Sequence, residues 1–217
     1  MVIVYGINLS TFTRKVRLAL AERGIPYRLE PAPMGSPKVR ALNPLGRIPV
    51  LVDGDVVVPD SSVIVAYLER SQPGPPLYPA DAAALARALW LEEYADTRLR
   101  EATLPYFAEQ VVKPLFQGKP ADTAALAAAA ALRDEAFGYL EGLLGPGGLG
   151  AGDAPTVADV AIGAQLVTYV QGEGRIDADR WPRLAAWYAA QVARPAWAPI
   201  LAEEATSLGA ARARGQR

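Results

Sequence analysis

Hydrophobic and polar positions change rhythm along this chain. Val2 to Gly6 is a nearly unbroken β-rich run, the pattern of a buried strand. Asn8-Leu9-Ser10-Thr11 then supplies side chains suited to capping a helix. Val16, Leu18, Ala19, Leu20 and Ala21 give that helix its apolar face, and Gly24 should stand just past its last turn. Ile25 to Glu30 reads as a second strand. Strand, helix and strand in that order predict a βαβ unit with parallel strands. Pro31 to Gly46 is rich in proline and glycine, with room for one helical turn near Lys38 to Leu42. Ile48 to Val52 and Val56 to Val58 are strands on either side of an Asp53-Gly54 hairpin turn. Ser61 to Glu69 is a helix whose apolar positions are Val63, Ile64, Ala66, Tyr67 and Leu68.

The rhythm shifts after the proline-rich stretch Ser71 to Pro79. From Ala80 onward the sequence is alanine-rich, with helical periodicity and hardly a strand signal. Helices are predicted near 81–112, 122–144, 156–171, 182–192 and 195–205. The alanine run 124–131 is a helix-propensity signal. Gly145 to Pro155 reads as a glycine-rich loop, and Thr156 to Asp159 as a capping box that opens the next helix. The pattern predicts an α/β domain over 1–72, a linker over 73–79 and an all-helical domain over 80–217.

Composition narrows the chemistry. With 217 residues, 51% of them hydrophobic, the chain can bury real cores. No apolar run approaches the roughly 20 residues that span a bilayer. The first residues lack a basic flank and read as a strand, not a signal peptide, so a cytoplasmic protein is expected. With 22 basic and 23 acidic residues, nothing suggests a nucleic-acid partner, and the basic tail Ala211 to Arg217 reads as a frayed terminus. There is no cysteine and no histidine. That removes disulfides, protein-thiol nucleophiles, Ser-His arrangements and the commonest zinc ligands. No metal is expected. Chemistry must rest on hydroxyls, carboxylates, lysine, arginine, backbone dipoles or a reactive group that the substrate brings.

One stretch gathers such groups. From Arg47 to Glu69, an Ile48-Pro49 step opens a strand, a hairpin follows, and Asp60-Ser61 begins a helix. A strand edge freed by proline, a carboxylate and helix-start N–H groups suit a small zwitterionic peptide. Ser61 also reads as an ordinary N-cap, Asp60 as a turn residue, and Arg47 as a solvated arginine. Ser10 has the same double reading: a cap of the first helix, or a hydroxyl offered to a ligand.

The order of these motifs resembles the cytosolic glutathione transferase family. Ser10 to Arg17 looks like that family's serine-containing first loop and helix start. Ile48-Pro49-Val50 looks like its cis-proline loop, and Asp60-Ser61 like the acidic-Ser pair that holds the γ-glutamyl group. Thr156 to Asp159 resembles the capping box of its buried helix. The resemblance covers essentially the whole chain and points to a serine-type, bacterial-like branch.

It implies a thioredoxin-like N-terminal domain followed by an all-helical C-terminal domain. It also implies glutathione as co-substrate, a small hydrophobic electrophile as partner, and a homodimer contacting through helix 61–70 and the long helix after Ala80. The activity implied is conjugation, as in detoxification. A glutathione-dependent peroxidase, isomerase or ether-cleaving lyase, or a non-enzymatic binding or regulatory protein, would share the scaffold. In this reading Ser10 is catalytic, hydrogen-bonding the glutathione sulfur, with Thr11, Thr13 and Tyr5 as alternative donors. Thr11, Phe12, Arg47, Ile48, Pro49, Asp60 and Ser61 bind glutathione, Arg47 taking its glycine-end carboxylate with help from Lys38. Aspartate at position 60 is one methylene shorter than the family's frequent glutamate, and Thr11 replaces a frequent proline. Tyr106 lines the electrophile site, among the aromatic candidates Tyr94, Phe107 and Tyr169.

Overall fold

The computed structural model describes residues 1–145, 148–149 and 154–215. Part of the expected glycine-rich loop, 146–147 and 150–153, and the tail residues 216–217 lie outside the described residues.

The first half is β1 (Val2–Gly6), α1 (Thr11–Glu22), β2 (Tyr27–Pro31), α2 (Pro37–Leu42), β3 (Val50–Asp53), β4 (Val56–Pro59) and α3 (Ser61–Ser71). The strands form one mixed sheet in the order β2-β1-β3-β4. β1 runs parallel to β2, with Val4 opposite Leu29, and antiparallel to β3, with Val4 opposite Leu51. A two-residue loop, Gly54-Asp55, joins β3 to β4, one residue on from the expected Asp53-Gly54 turn because Asp53 pairs with Val56 as the last residue of β3, and Gly54 takes a positive φ of 59° at the first loop position. This is a thioredoxin-like domain.

Several boundaries move for physical reasons. Ile25 does not begin the second strand. Its N–H bonds back to Leu20 O at 2.9 Å and Gly24 N–H to Ala21 O at 3.1 Å, a Schellman closure of α1 around a glycine with φ of 66°. β2 therefore starts at Tyr27. Ile48 and Pro49 stay outside β3, and the peptide bond between them is cis. Ser61 is not the cap of α3. Asp60 is, its Oδ1 accepting from Ser62 N–H at 2.9 Å and Val63 N–H at 3.3 Å.

The second half is helical. α4 (Ala82–Tyr94), α5 (Arg100–Phe107) and α6 (Lys113–Phe116) form one run joined by π-helical turns at Ala95–Leu99 and Ala108–Val112. The expectation of a single regular helix near 81–112 is corrected. Pro105 and Pro114 flank the second π turn, and each lacks the N–H that a regular helix needs. α7 (Thr123–Leu143), α8 (Val157–Glu173), α9 (Pro182–Val192) and α10 (Ala198–Gly215) complete the order. α8 begins with the expected capping box, Thr156 N–H and Oγ1 each donating to Asp159 Oδ2 at 2.8 Å. Burial pushes the Asp159 carboxyl up from its ordinary value, against the pull of those bonds. α10 is longer than the predicted 195–205 and takes in Ala211 to Gly215, because Leu208 and Ala211 are buried.

One core lies between the sheet and its helices, where Val4, Leu51 and Val58 meet Val16, Leu20, Ile64 and Leu68. A larger core fills the helical half and also receives Leu18, Ala19 and Val65. α1 thus serves both cores, and polar groups lock the seam. Arg14, wholly buried, donates from Nε to both carboxylate oxygens of Glu204 at 2.9 Å. It also donates to Ala164 O at 2.9 Å, Thr168 Oγ1 at 2.7 Å and Gln171 Oε1 at 2.9 Å. Gln171 Nε2 in turn donates to Glu204 at 2.7 Å.

The loop between β1 and α1 is fixed by a second constraint. A Cβ on Gly6 would lie 2.4 Å from Thr13 Oγ1 and 2.9 Å from its Cγ2. Thr13 is fully buried, so only glycine lets the strand end pass this close to α1.

Glu204→Gln leaves the Arg14 guanidinium buried without a counter-charge. It should lower unfolding stability by about 3–5 kcal/mol, seen as a lower urea midpoint at unchanged slope, while Arg14→Met with Glu204→Leu recovers most of that loss. Gly6→Ala should cost about 1–3 kcal/mol by overpacking, and Thr13→Ala in the same chain should restore part of it, a coupling that a double-mutant cycle measures.

Candidate functional site

α1 begins at a loop held from both sides. Ser10 is its N-cap: Oγ accepts from Thr13 N–H at 3.4 Å, and Ser10 N–H donates to Ile7 O at 3.1 Å. The hydroxyl serves the cap with a lone pair, which leaves its proton for another acceptor. Ser10 is half-buried. The alternative donors are differently placed. Thr11 Oγ1 is 2.6 Å from Thr168 Oγ1, inside the Arg14 network. Thr13 is buried against Gly6. Tyr5 carries Lys38 over its ring at 4.9 Å, so Lys38 lies on Tyr5.

Asn43 shapes the approach to the Ile-Pro step. Its Nδ2 donates to Arg47 O at 2.9 Å and its Oδ1 accepts from Leu45 N–H at 3.0 Å. Arg47 is exposed, Ile48 half-buried and Pro49 buried. Among the described residues neither the N–H nor the C=O of Ile48 has a protein partner. An extended peptide could take both.

Asp60 is exposed and has φ of 77°, the one non-glycine residue with positive φ among those described. Such a conformation persists only where the surroundings hold it. Its capping bonds use Oδ1, and Oδ2 has no protein donor among the described residues. Ser61 is buried at the first turn. The next residue, Ser62, is clamped from below: Lys15 Nζ donates to Ser62 Oγ at 2.8 Å and to Asp96 Oδ2 at 2.6 Å, and Nζ lies 2.8 Å from Glu92 Oε1. A buried ammonium with two carboxylates thus anchors the start of α3 to α1 and α4.

The helical half faces this loop with apolar groups. Leu9 packs with Phe107, Val111 and Leu208, and with Val112 and Leu115 beside them. Phe12 lies under the Arg100 guanidinium at 5.8 Å. Of the aromatic candidates, only Phe107 is in this wall. Tyr106 turns into the helical core, edge-on to Tyr169 at 4.9 Å, and Tyr94 lies tilted against Tyr139 at 4.7 Å. The structure therefore does not bring Tyr106 to the Ser10 loop. Leu9, Arg100, Val111 and Leu208 stand beside the Ser10 loop without having been singled out from sequence, because only the three-dimensional packing of the long helical run and α10 brings them there.

A cavity of about 570 Å³ lies between α8, α9 and α10, lined by Val167, Val170, Tyr188, Val192, Leu201 and Leu208 among others. Burial pushes the Tyr188 hydroxyl there up to about 12. None of Ser10, Ile48 or Asp60 lines it, but Leu208 does, so the cavity adjoins the wall beside Leu9. Among the described residues no cluster of acidic side chains could hold a metal ion, and no helix is long and apolar enough to cross a membrane.

Comparison with known proteins gives the same picture at larger scale. The profile for the N-terminal domain of glutathione S-transferase matches residues 4–76, and that for its C-terminal domain matches residues 123–190. Glutathione S-transferase 3 of Zea mays is 32% identical over 208 residues, 92% of each chain. FtsZ-localized protein A of Caulobacter vibrioides is 29% identical over 201 residues, 88% of this chain and 86% of that one. The crystal structure of a glutathione S-transferase from Rhodospirillum rubrum superposes with a TM-score of 0.84 at 30% identity, covering 93% of this chain and 92% of that one. With both domain profiles matched in order and a relative aligned over nearly the full length, the chain belongs to the glutathione S-transferase family.

Proposed function

We propose that this chain binds glutathione, stabilises its thiolate and conjugates it to a small hydrophobic electrophile. The observation that carries the reading is Ser10, a half-buried cap whose hydroxyl proton has no protein acceptor among the described residues, at the start of a helix and beside an apolar wall. Asp60 would take the ammonium and the Ser61 end of α3 the carboxylate of the γ-glutamyl group. The unpaired backbone of Ile48, with Pro49 beneath it, would take the middle of the peptide. Arg47 would take the glycine carboxylate, Thr11 and Phe12 shaping the floor by Ser10.

The energetics fit one hydrogen bond. A free thiol of pKa about 8.5 needs a shift of about two units, roughly 2.7 kcal/mol, to be mostly ionised at neutral pH. A hydrogen bond to a charged acceptor supplies about 1.5–3 kcal/mol, and the N-terminal dipole of α1 adds to it. No metal takes part in this scheme. A peroxidase, isomerase or lyase on the same scaffold would use the same thiolate, and product analysis with electrophiles and peroxides separates these. A second reading, a non-enzymatic binding protein, draws on the likeness to FtsZ-localized protein A over most of the chain.

We further propose a cytoplasmic homodimer. Val56 and Val57 of β4, Val63 of α3, and Leu89 and Trp90 of α4 are exposed, and Trp90 is 55% accessible. Exposed apolar groups of this size on neighbouring elements mark a contact surface.

Calorimetry with glutathione, with thiolate absorbance on the same samples, tests the site. The native chain should bind and ionise glutathione. Asp60→Ala should weaken binding by about tenfold or more. Ser10→Ala should still bind, lose the thiolate band and slow conjugation by about a hundredfold, the scale of a lost charge-stabilising donor. Binding without ionisation in the native chain would favour the non-enzymatic reading, and no binding would overturn both. Sedimentation should show a dimer for the native chain and a monomer for Val63→Glu with Trp90→Glu.

A further inference from the structure

Cationic side chains drawn out of water are found with a partner. Arg14, Lys15, Arg17 and Arg23 are buried here, and each has a carboxylate: Glu204, Glu92 with Asp96, Glu203 and Glu69. Arg98, Lys113, Arg133 and Arg194 are half-buried and likewise paired. Among the described residues one half-buried cation departs from this rule. Among those residues Arg100 meets no carboxylate and no carbonyl, and its guanidinium lies over the Phe12 ring.

Its position gives that departure a use. Arg100 opens α5 and Phe107 closes it, about two turns apart, so both fall on one helix face with half-buried Leu104 between them. That face looks onto the start of α1. Phe12 meets Arg100 at one end, and Leu9 packs with Phe107 and Val111 at the other. Ser10 lies in the chain between Leu9 and Phe12. The groups around Ser10 are thus apolar on the Leu9 side and cationic on the Phe12 side. The guanidinium lies over the Phe12 ring at cation–π distance, and its N–H groups have no protein acceptor among the described residues, which suits a planar, two-oxygen acceptor.

We propose that Arg100 binds a carboxylate on the second substrate, so that the electrophile this chain prefers is an apolar carboxylic acid. The proposal rests on the glutathione reading above and names the substrate class for that site. Arg100 orients the acid, the apolar wall holds its body, and the sulfur reaches the electrophilic carbon.

Two chlorodinitroarenes that differ by one ring carboxylate test it. In each, the glutathione sulfur forms the C–S bond and chloride leaves with the electron pair. With rates divided by the uncatalysed rate, the native chain should favour the acid by about tenfold or more. Arg100→Gln should bring the acid-to-neutral rate ratio down to about one, and Arg100→Lys should keep part of the preference. Calorimetry with unreactive dinitrobenzoate, in the presence of S-methylglutathione, reads the same site without turnover. Equal losses on both substrates, or equal dinitrobenzoate affinity in native and Arg100→Gln protein, overturns the proposal. If glutathione itself fails to bind, the transferase reading falls separately. Weaker dinitrobenzoate binding by Arg100→Gln would then still uphold the anion site.

Discussion

A guanidinium carried into a protein interior must recover there what water gave it, and in this chain the recovery joins the two halves. Arg14 projects from a helix of the sheet domain. Its partners, Glu204, Ala164 O, Thr168 and Gln171, all belong to the helical domain. Separating the domains would leave a buried charge on each side or require both to be rehydrated. The pair adds little to stability compared with an apolar seam of the same shape. What it adds is direction: a planar fork with four kinds of acceptor accepts one orientation of α8 and α10 over α1. The position of Leu208 over Leu9, and so the wall beside Ser10, follows from that orientation.

The same helix repeats the device around its circumference. Lys15 reaches Glu92, Asp96 and Ser62, which ties α1 to α4 and to the first turn of α3. Arg17 reaches Tyr27 and Glu203, and Arg23 closes on Glu69 and on the carbonyls of Gln72 and Pro75. α1 is therefore less an amphipathic surface helix than an axle with polar spokes. Its sequence, TFTRKVRLALAE, carries three cations within four positions, a pattern that read alone suggests a solvated face. The partners sit far along the chain, so burial of these charges could not be anticipated from local spacing.

Elements with a local cause were legible. The hairpin around Gly54, the glycine stop after α1, the capping box at Thr156 and the helix Pro182–Val192 all rest on residues that are neighbours in sequence. The Ile-Pro step and the cap at Ser10 were legible for the same reason. Features with a distant or competing cause were not. Ile25 looks like strand but closes a helix, and Ser61 looks like a cap while Asp60 performs that role. α10 continues past its polar stretch because Leu208 and Ala211 find buried places in the fold. Tyr106 and Phe107 are adjacent and equally aromatic, and only the packing of the long helical run turns one into the core and the other towards α1.

Trp197 sits at the same seam. It is wholly buried, its indole fills space that a side chain on Gly163 would need, and its Nε1–H donates to Glu22 of α1 at 2.8 Å. Glu22 is held in turn by Arg194. Any opening between the sheet and helical domains must take a carboxylate away from this indole and let water reach it. The chain thus carries a built-in optical gauge of domain parting, whose emission would redden as the halves separate, even while each half keeps its helices.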